Sequence, residues 1–235
     1  MQRSKIEWLR DAQGKPGWSS NPVKGKCPMG CPYCYMWGKC GIGTRFHYDT
    51  AIRLDYKEFP QWKIAKAGDK VFVGSTIDLF HLDVMGKDEF RTALILNEVT
   101  YYPDVTFIFL TKCPQNLAKW NPWPANAYVG VSVTNQEQYG NALEYLSQIE
   151  APVKFLSYEP LMGRIVADYR NWVTPPDWLI IGSQTGPGSK AHQPKVEWIE
   201  EIEEAAQQAH IPIFEKNNLA KILNRPLIKE FPKEG

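Results

Sequence analysis

The chain has 235 residues, a formal net charge of +1, 43% apolar residues and 23% charged residues. That length suits one domain of α/β-barrel size or two small ones, and the apolar fraction is ample for a packed core. The near-neutral charge removes any global electrostatic drive toward nucleic acid, and five cysteines, an odd number, argue against a disulfide framework. The opening MQRSKIEWLR holds no apolar stretch of signal-peptide length, and no later segment approaches the length of a membrane span. A soluble, cytoplasmic protein with no membrane partner is expected, in a compartment that keeps thiols reduced. Nine tryptophans are many for this length and are expected mainly in the core or at interfaces.

Residues 1–26 carry Trp8, Gly14, Gly17, Trp18 and Pro22 without sustained periodicity. They read as an irregular lead-in with one short strand delivering the next segment, Cys27-Pro-Met-Gly-Cys31-Pro-Tyr-Cys34-Tyr35. Soft thiolates suit iron–sulfur clusters: three of them hold three irons of a [4Fe–4S] cube and leave the fourth open to a small molecule. The alternative is a closed zinc site of Cys27, Cys31 and Cys34 with Cys40 or His47 as fourth ligand. Zinc knuckles usually pair two CxxC units, and only Cys31 to Cys34 forms one here. The spacing, with aromatic Tyr33 before the last cysteine, resembles the signature of the radical S-adenosylmethionine (SAM) superfamily. That resemblance implies cluster ligation by the three cysteines, chelation of SAM by the open iron, and cleavage of SAM to methionine and a 5′-deoxyadenosyl radical. Residues 35–50, with Gly38, Gly41 and Gly43, read as a loop, and Pro60 is expected to start a short helix.

From residue 70 the pattern becomes regular. Short β-branched or aromatic runs begin at Val71, Thr106, Tyr128, Val153, Trp178 and Ile211, as in strands buried on both faces of a parallel sheet. Helical patterns alternate with them. Phe90, Ala93, Leu94 and Asn97 mark one; Tyr139, Leu143, Leu146 and Ile149 mark another, opened by a Thr134–Glu137 capping box. Val196, Ile199, Ile202, Ala205 and Ala209 form a third stripe, with Glu197, Glu200, Glu201, Glu203 and Glu204 as its solvated face. Repeated strand–helix units without a hairpin signal predict a single α/β domain over 1–235. The expected fold is a partial (β/α)6-like TIM barrel with parallel strands, with an open doubly wound sheet as the alternative. Residues 1–50 form the lead-in and cluster loop, and 222–235 a surface tail.

Ligands of parallel α/β folds sit at the carboxyl ends of the strands. The strands here exit into Ser75 and Asp78, Lys112 and Cys113, Ser132 and Asn135, Glu159, the Gly182-Ser183-Gln184 loop, and Lys216. For SAM, Ser75 and Asp78 suit the ammonium or ribose, Lys112 the carboxylate, and Glu159 a hydroxyl or the sulfonium. Asp78 and Thr134 read equally as helix caps, and Glu159 as a partner of Arg164. Tyr33, Tyr35, Ser132 and Asn135 complete the expected cofactor contacts together with Gly182, Ser183, Gln184 and Lys216.

The resemblance extends along nearly the whole chain. Ile6-Glu7-Trp8, Asn21-Pro22-Val23-Lys24-Gly25, Asp78-Leu79-Phe80, Leu110-Thr111-Lys112, Gly130-Val131-Ser132-Val133, Asn135-Gln136, Glu159-Pro160-Leu161, Gly186-Pro187-Gly188 and Lys216 occur in order. They are similar to a phage and prokaryotic radical-SAM-like family of unknown function, with a layout like that of spore photoproduct lyase. Cys113 stands where that family usually has arginine, and Gly182-Ser183-Gln184-Thr185-Gly186 where it has Gly-Gly-Glu-Ser-Gly. By the same resemblance Cys113 is a candidate hydrogen-atom donor, packing being the alternative. The resemblance implies a [4Fe–4S] cluster, SAM, a flavodoxin- or ferredoxin-like reductant, and a nucleic-acid base or nucleotide as the preferred substrate, a small metabolite or a peptide side chain being the alternatives. Trp37, Lys39, Arg45 and His47 would contribute near the cluster. The competing reading is a zinc-stabilised nucleic-acid-binding protein without catalysis.

Overall fold

The computed structural model describes residues 1–11, 13–36, 50–170, 174–186 and 188–233. The six apolar runs become β5 (Lys70–Val73), β6 (Thr106–Thr111), β7 (Ala127–Ser132), β8 (Val153–Tyr158), β9 (Trp178–Ile181) and β10 (Ile213–Glu215). Each lies parallel beside the one before it. The strand ahead of the cysteines, β2 (Trp18–Ser20), joins them parallel to β5. Two antiparallel pairs depart from the hairpin-free expectation. β1 (Gln2–Arg3) lies against β2 and completes an eight-stranded sheet, while β3 (Val23–Lys24) pairs with β4 (Arg53–Leu54) on either side of the cysteine segment. Neither pair is joined by a tight turn, the feature by which a hairpin is recognised in sequence.

Strand order follows chain order from β5 to β10, with none of the reversal that a doubly wound sheet requires. The strand residues alternate between two apolar groups. Val71, Val73, Phe107, Phe109, Val129, Val131, Leu179 and Ile181 pack with the helices α2 (Phe90–Val99), α3 (Gln136–Leu146) and α4 (Val196–Gln208), which follow the one-turn α1 (Leu82–Met85). Phe72, Ile108, Tyr128, Phe155, Trp178, Ile180 and Phe214 face the other way, around Trp8 and Leu9. The Trp8 ring lies 5.2 Å from Phe72 on β5 and 6.2 Å from Trp178 on β9. Strands four apart in a flat sheet are separated by roughly 19 Å, so the sheet curls around this tryptophan. Gly130 makes room on the inner face: a Cβ there would stand 2.3 Å from the Phe155 ring.

Local chemistry explains where the helices differ from expectation. α2 buries Thr92, Ile95, Leu96 and Val99 and leaves Phe90 55% exposed, because the Thr92 hydroxyl donates to Leu79 O (2.8 Å) and turns that stripe inward. α3 is capped one residue later than the Thr134–Glu137 pattern suggests. Asn135 accepts from Gln138 N (3.0 Å), and Gln138 Oε1 receives the Thr134 N–H and hydroxyl. On α4, Glu203 is not part of the solvated face but is buried against Arg225. The tail covers the free edge of β10, with Glu215 N donating to Ile228 O (2.9 Å) and Glu230 N to Ile213 O (2.8 Å). Among the described residues no helix is long and apolar enough to cross a membrane.

Candidate functional site

The cysteine segment leaves β3 at Gly25, whose φ of +121° and approach to β4 (a Cβ would meet Ile52 Cα at 2.8 Å) suit glycine alone. Cys34 N donates to Cys31 O (3.1 Å), tightening the loop, and the Tyr35 hydroxyl donates to Ser75 O (2.6 Å), tying it to the end of β5. Cys27, Cys31 and Cys34 are all free and partly buried. Burial raises the Cys27 pKa, a rise partly offset by the backbone N–H groups of Asp78 and Met29. Burial also raises that of Tyr33, reinforced by the charge of and hydrogen bond to Cys31.

These cysteines open into a cavity of about 720 Å³ at the carboxyl ends of the parallel strands. Tyr33, Tyr35, Ser75, Asp78 and Lys112 line it on the cysteine side, with Ser132, Glu159, Ser183, Gln184 and Lys216 across from them. Ten of the expected cofactor contacts thus share one cavity with all three cysteines. Three expected residues do not line it. Asn135 spends its side chain on capping α3. Gly182 stands behind the wall, where a Cβ would come within 2.9 Å of Lys216 Cδ, so it lets that side chain pass. Cys113 is buried beside Met29 (Sγ to Sδ 3.4 Å) and faces a second, smaller cavity of about 290 Å³ with His81 and Leu82. Burial and the Asp78 charge push its thiol up to about 12, so it stays protonated. Cys40, His47, Trp37, Lys39 and Arg45 lie outside the described residues. Among the described residues, no three His, Cys, Asp or Glu side chains are placed to hold one metal ion.

Several lining groups are already engaged. Asp78 accepts from Phe80 N (3.1 Å), Thr111 Oγ1 (2.7 Å) and Lys112 N (2.7 Å), so its carboxylate clamps the ends of β5 and β6 together. Glu159 forms an ion pair with Lys216, while Arg164 pairs with Glu201. Burial pulls the Lys216 pKa below the ordinary lysine value, and the paired carboxylate favours the charged ammonium. Ser183 is held by Asn218, which accepts from its N–H (3.2 Å) and donates to its carbonyl (2.8 Å).

Sequence reasoning missed Asn21 as an organiser of the site. Its Oδ1 accepts from Ser75 Oγ, Thr76 N and Thr76 Oγ1 (3.2, 3.1 and 3.1 Å), which fixes the turn after β5. It also missed Lys5, Ile6 and Trp8, which line the cavity from the amino-terminal segment. Glu7 anchors that segment by accepting from Asn217 N (2.7 Å). The adjoining Asn21-Pro22 and Ile6-Glu7-Trp8 stretches were the only signals available. No curated protein and no solved structure matches the chain. A family model described as "Protein of unknown function (DUF5131)" matches residues 3–221, and the chain belongs to that family.

Proposed function

We propose that the protein is a radical SAM enzyme acting at the mouth of a partial (β/α)6-like barrel. The observation that carries this reading is the convergence of the three cysteines with ten polar or aromatic residues from the cysteine loop and the strand ends on one cavity. The uninterrupted order of parallel strands and the curl around Trp8 support the barrel. The donor set fits a [4Fe–4S] cluster, because each thiolate of such a cube takes its own iron and the sulfurs need not converge on one ion. When bound, the cluster would be held by Cys27, Cys31 and Cys34 and would supply the electron that cleaves SAM to methionine and a 5′-deoxyadenosyl radical. The chain's own residues then bind and orient. Lys112 would hold the carboxylate of SAM, Tyr35 fixes the loop beside it through Ser75, Tyr33 lines the same side, and Ser132 would offer a hydroxyl to the ribose. Asp78 acts as a positioning residue, since its oxygens are committed to β5 and β6. A hydrogen atom would pass from a substrate C–H to the 5′-carbon, and a base or nucleotide is the substrate class we favour.

The test is anaerobic reconstitution with iron and sulfide, reduction in the presence of SAM, and quantification of 5′-deoxyadenosine. A brown protein that forms it, with Cys31→Ala colourless and inactive, is expected. A colourless protein holding one zinc and forming none would sink the enzyme reading and leave a zinc-binding module.

A further inference from the structure

The cysteine segment enters from β3 and leaves through Tyr35, and both of its ends lead back to one buried carboxylate. Glu58, 8% exposed, lies just beyond β4 and does not line the cavity. On the entry side, Lys24 of β3, shortly before Cys27, donates to Glu58 Oε1 (3.0 Å). On the exit side, the Tyr35 hydroxyl donates to Ser75 O, and the Asn21 side chain accepts from Ser75 and Thr76. Asn21 N in turn donates to Glu58 Oε2 (3.4 Å), beside the Ser20 hydroxyl (2.8 Å). The polar contacts therefore close a ring. It runs from Glu58 through Lys24 and the three cysteines to Tyr35, Ser75, Asn21 and back.

The carboxylate at the centre of this ring is charged and firmly held. Burial by itself would raise its pKa, yet hydrogen bonds from the Met1 ammonium (2.7 Å), Lys24 and Ser20 bring it down to about 2. The Ser20 hydroxyl is itself fixed by the Nε1–H of buried Trp62 (2.8 Å). Keeping an irregular loop in one conformation costs conformational entropy at every residue, so the thiols hold their places only while the ends are anchored.

We propose that Glu58 is the positioning residue of the cysteine site: it fixes both ends of the loop and so presents Cys27, Cys31 and Cys34 together at the cavity, without touching a ligand. Its part in radical chemistry rests on the radical SAM reading; its hold on the loop does not, and applies equally to a bound zinc. Iodoacetamide labelling of the full chain as isolated, followed cysteine by cysteine by mass spectrometry, tests that hold. Glu58→Gln removes the charge and turns an amide N–H toward the surrounding donors. Cys31 and Cys34 are then expected to react about tenfold faster, as the loss of a charge-assisted hydrogen bond predicts. Cys113, buried in the core, should keep its rate, which separates a released loop from a loosened fold. Tyr35→Phe opens the ring at an exposed bond and should speed the same two thiols by less. The double variant should gain less than the product of the two single effects, since both cut one network. Unchanged Cys31 and Cys34 rates, or a Cys113 rate that rises in step with them, would overturn the role of Glu58. Should Glu58→Gln not fold, the absence of any effect in Tyr35→Phe would do the same. The expected labelling pattern in a protein that forms no 5′-deoxyadenosine would keep Glu58 as the anchor and remove the chemistry. Formation of 5′-deoxyadenosine with labelling unmoved would do the reverse.

Discussion

Glu215 and Lys216 are consecutive, yet they serve opposite sides of the sheet. Glu215 is fully buried with both oxygens held by Arg225 (3.0 Å each), the Ile228 N–H (2.7 Å) on one of them, and Glu203 reaches the same guanidinium. Both oxygens are met from within the fold, and the effect is to pin α4 and the tail to β10. Lys216 reaches the cavity with a single carboxylate partner and space beyond it. A buried charge surrounded by saturated hydrogen bonds is structural, whereas one that faces a void with a lone partner is available to a ligand.

That contrast can be broken most forcefully at Glu215. Glu215→Ala strands Arg225 and releases the tail, and a loss of about 3 kcal/mol is expected in urea unfolding. A change under 1 kcal/mol would show that the cluster is ornamental. Gly130→Ala tests the inner face in the same assay, with about 1–3 kcal/mol expected from the clash with Phe155. Phe155→Leu should recover part of that loss in the double variant.

Lys216→Met should behave differently from Glu215→Ala, costing less in stability because the Glu159 carboxylate it leaves behind faces the cavity, while weakening ligand binding there. Equal destabilisation by the two variants would erase the distinction between the sides. The last test is in pH. Burial, together with its interaction with Glu215, raises the Glu203 pKa from 4.5 to about 8. The folded state therefore holds a proton that the unfolded chain has released. Glu203's contribution to stability is complete below about 4.5 and fades as pH rises toward about 8. Glu203→Gln should flatten the stability profile across that window, and an unchanged slope would mean that Glu203 does not titrate there.

The parallel strands were legible because their residues are apolar on both faces and form unbroken runs such as Thr106-Phe107-Ile108-Phe109-Leu110. The strand-end rim followed from them, since polar residues at those exits have few other places to go. What escaped depends on distant partners. Nothing local distinguishes the committed carboxylate of Asp78 from an open one, and the inward turn of Thr92 depends on a carbonyl 13 residues away. Asn135 was read as a contact because a helix cap and a ligand donor use the same side chain. Lys5 was passed over because an isolated lysine carries no periodicity.

The anchoring of the amino-terminal segment has a consequence for synthesis. Glu7 accepts from the backbone of Asn217 and from Lys229, contacts spanning 210 and 222 residues. Trp8 likewise needs Trp178 before its pocket is complete. The earlier segment must therefore wait for a much later one, and such long loops close slowly. While the chain is still emerging, the wall that carries Lys5 has nothing to lean on. The cavity is accordingly completed only once those distant partners exist, and any cofactor it takes would be loaded after them.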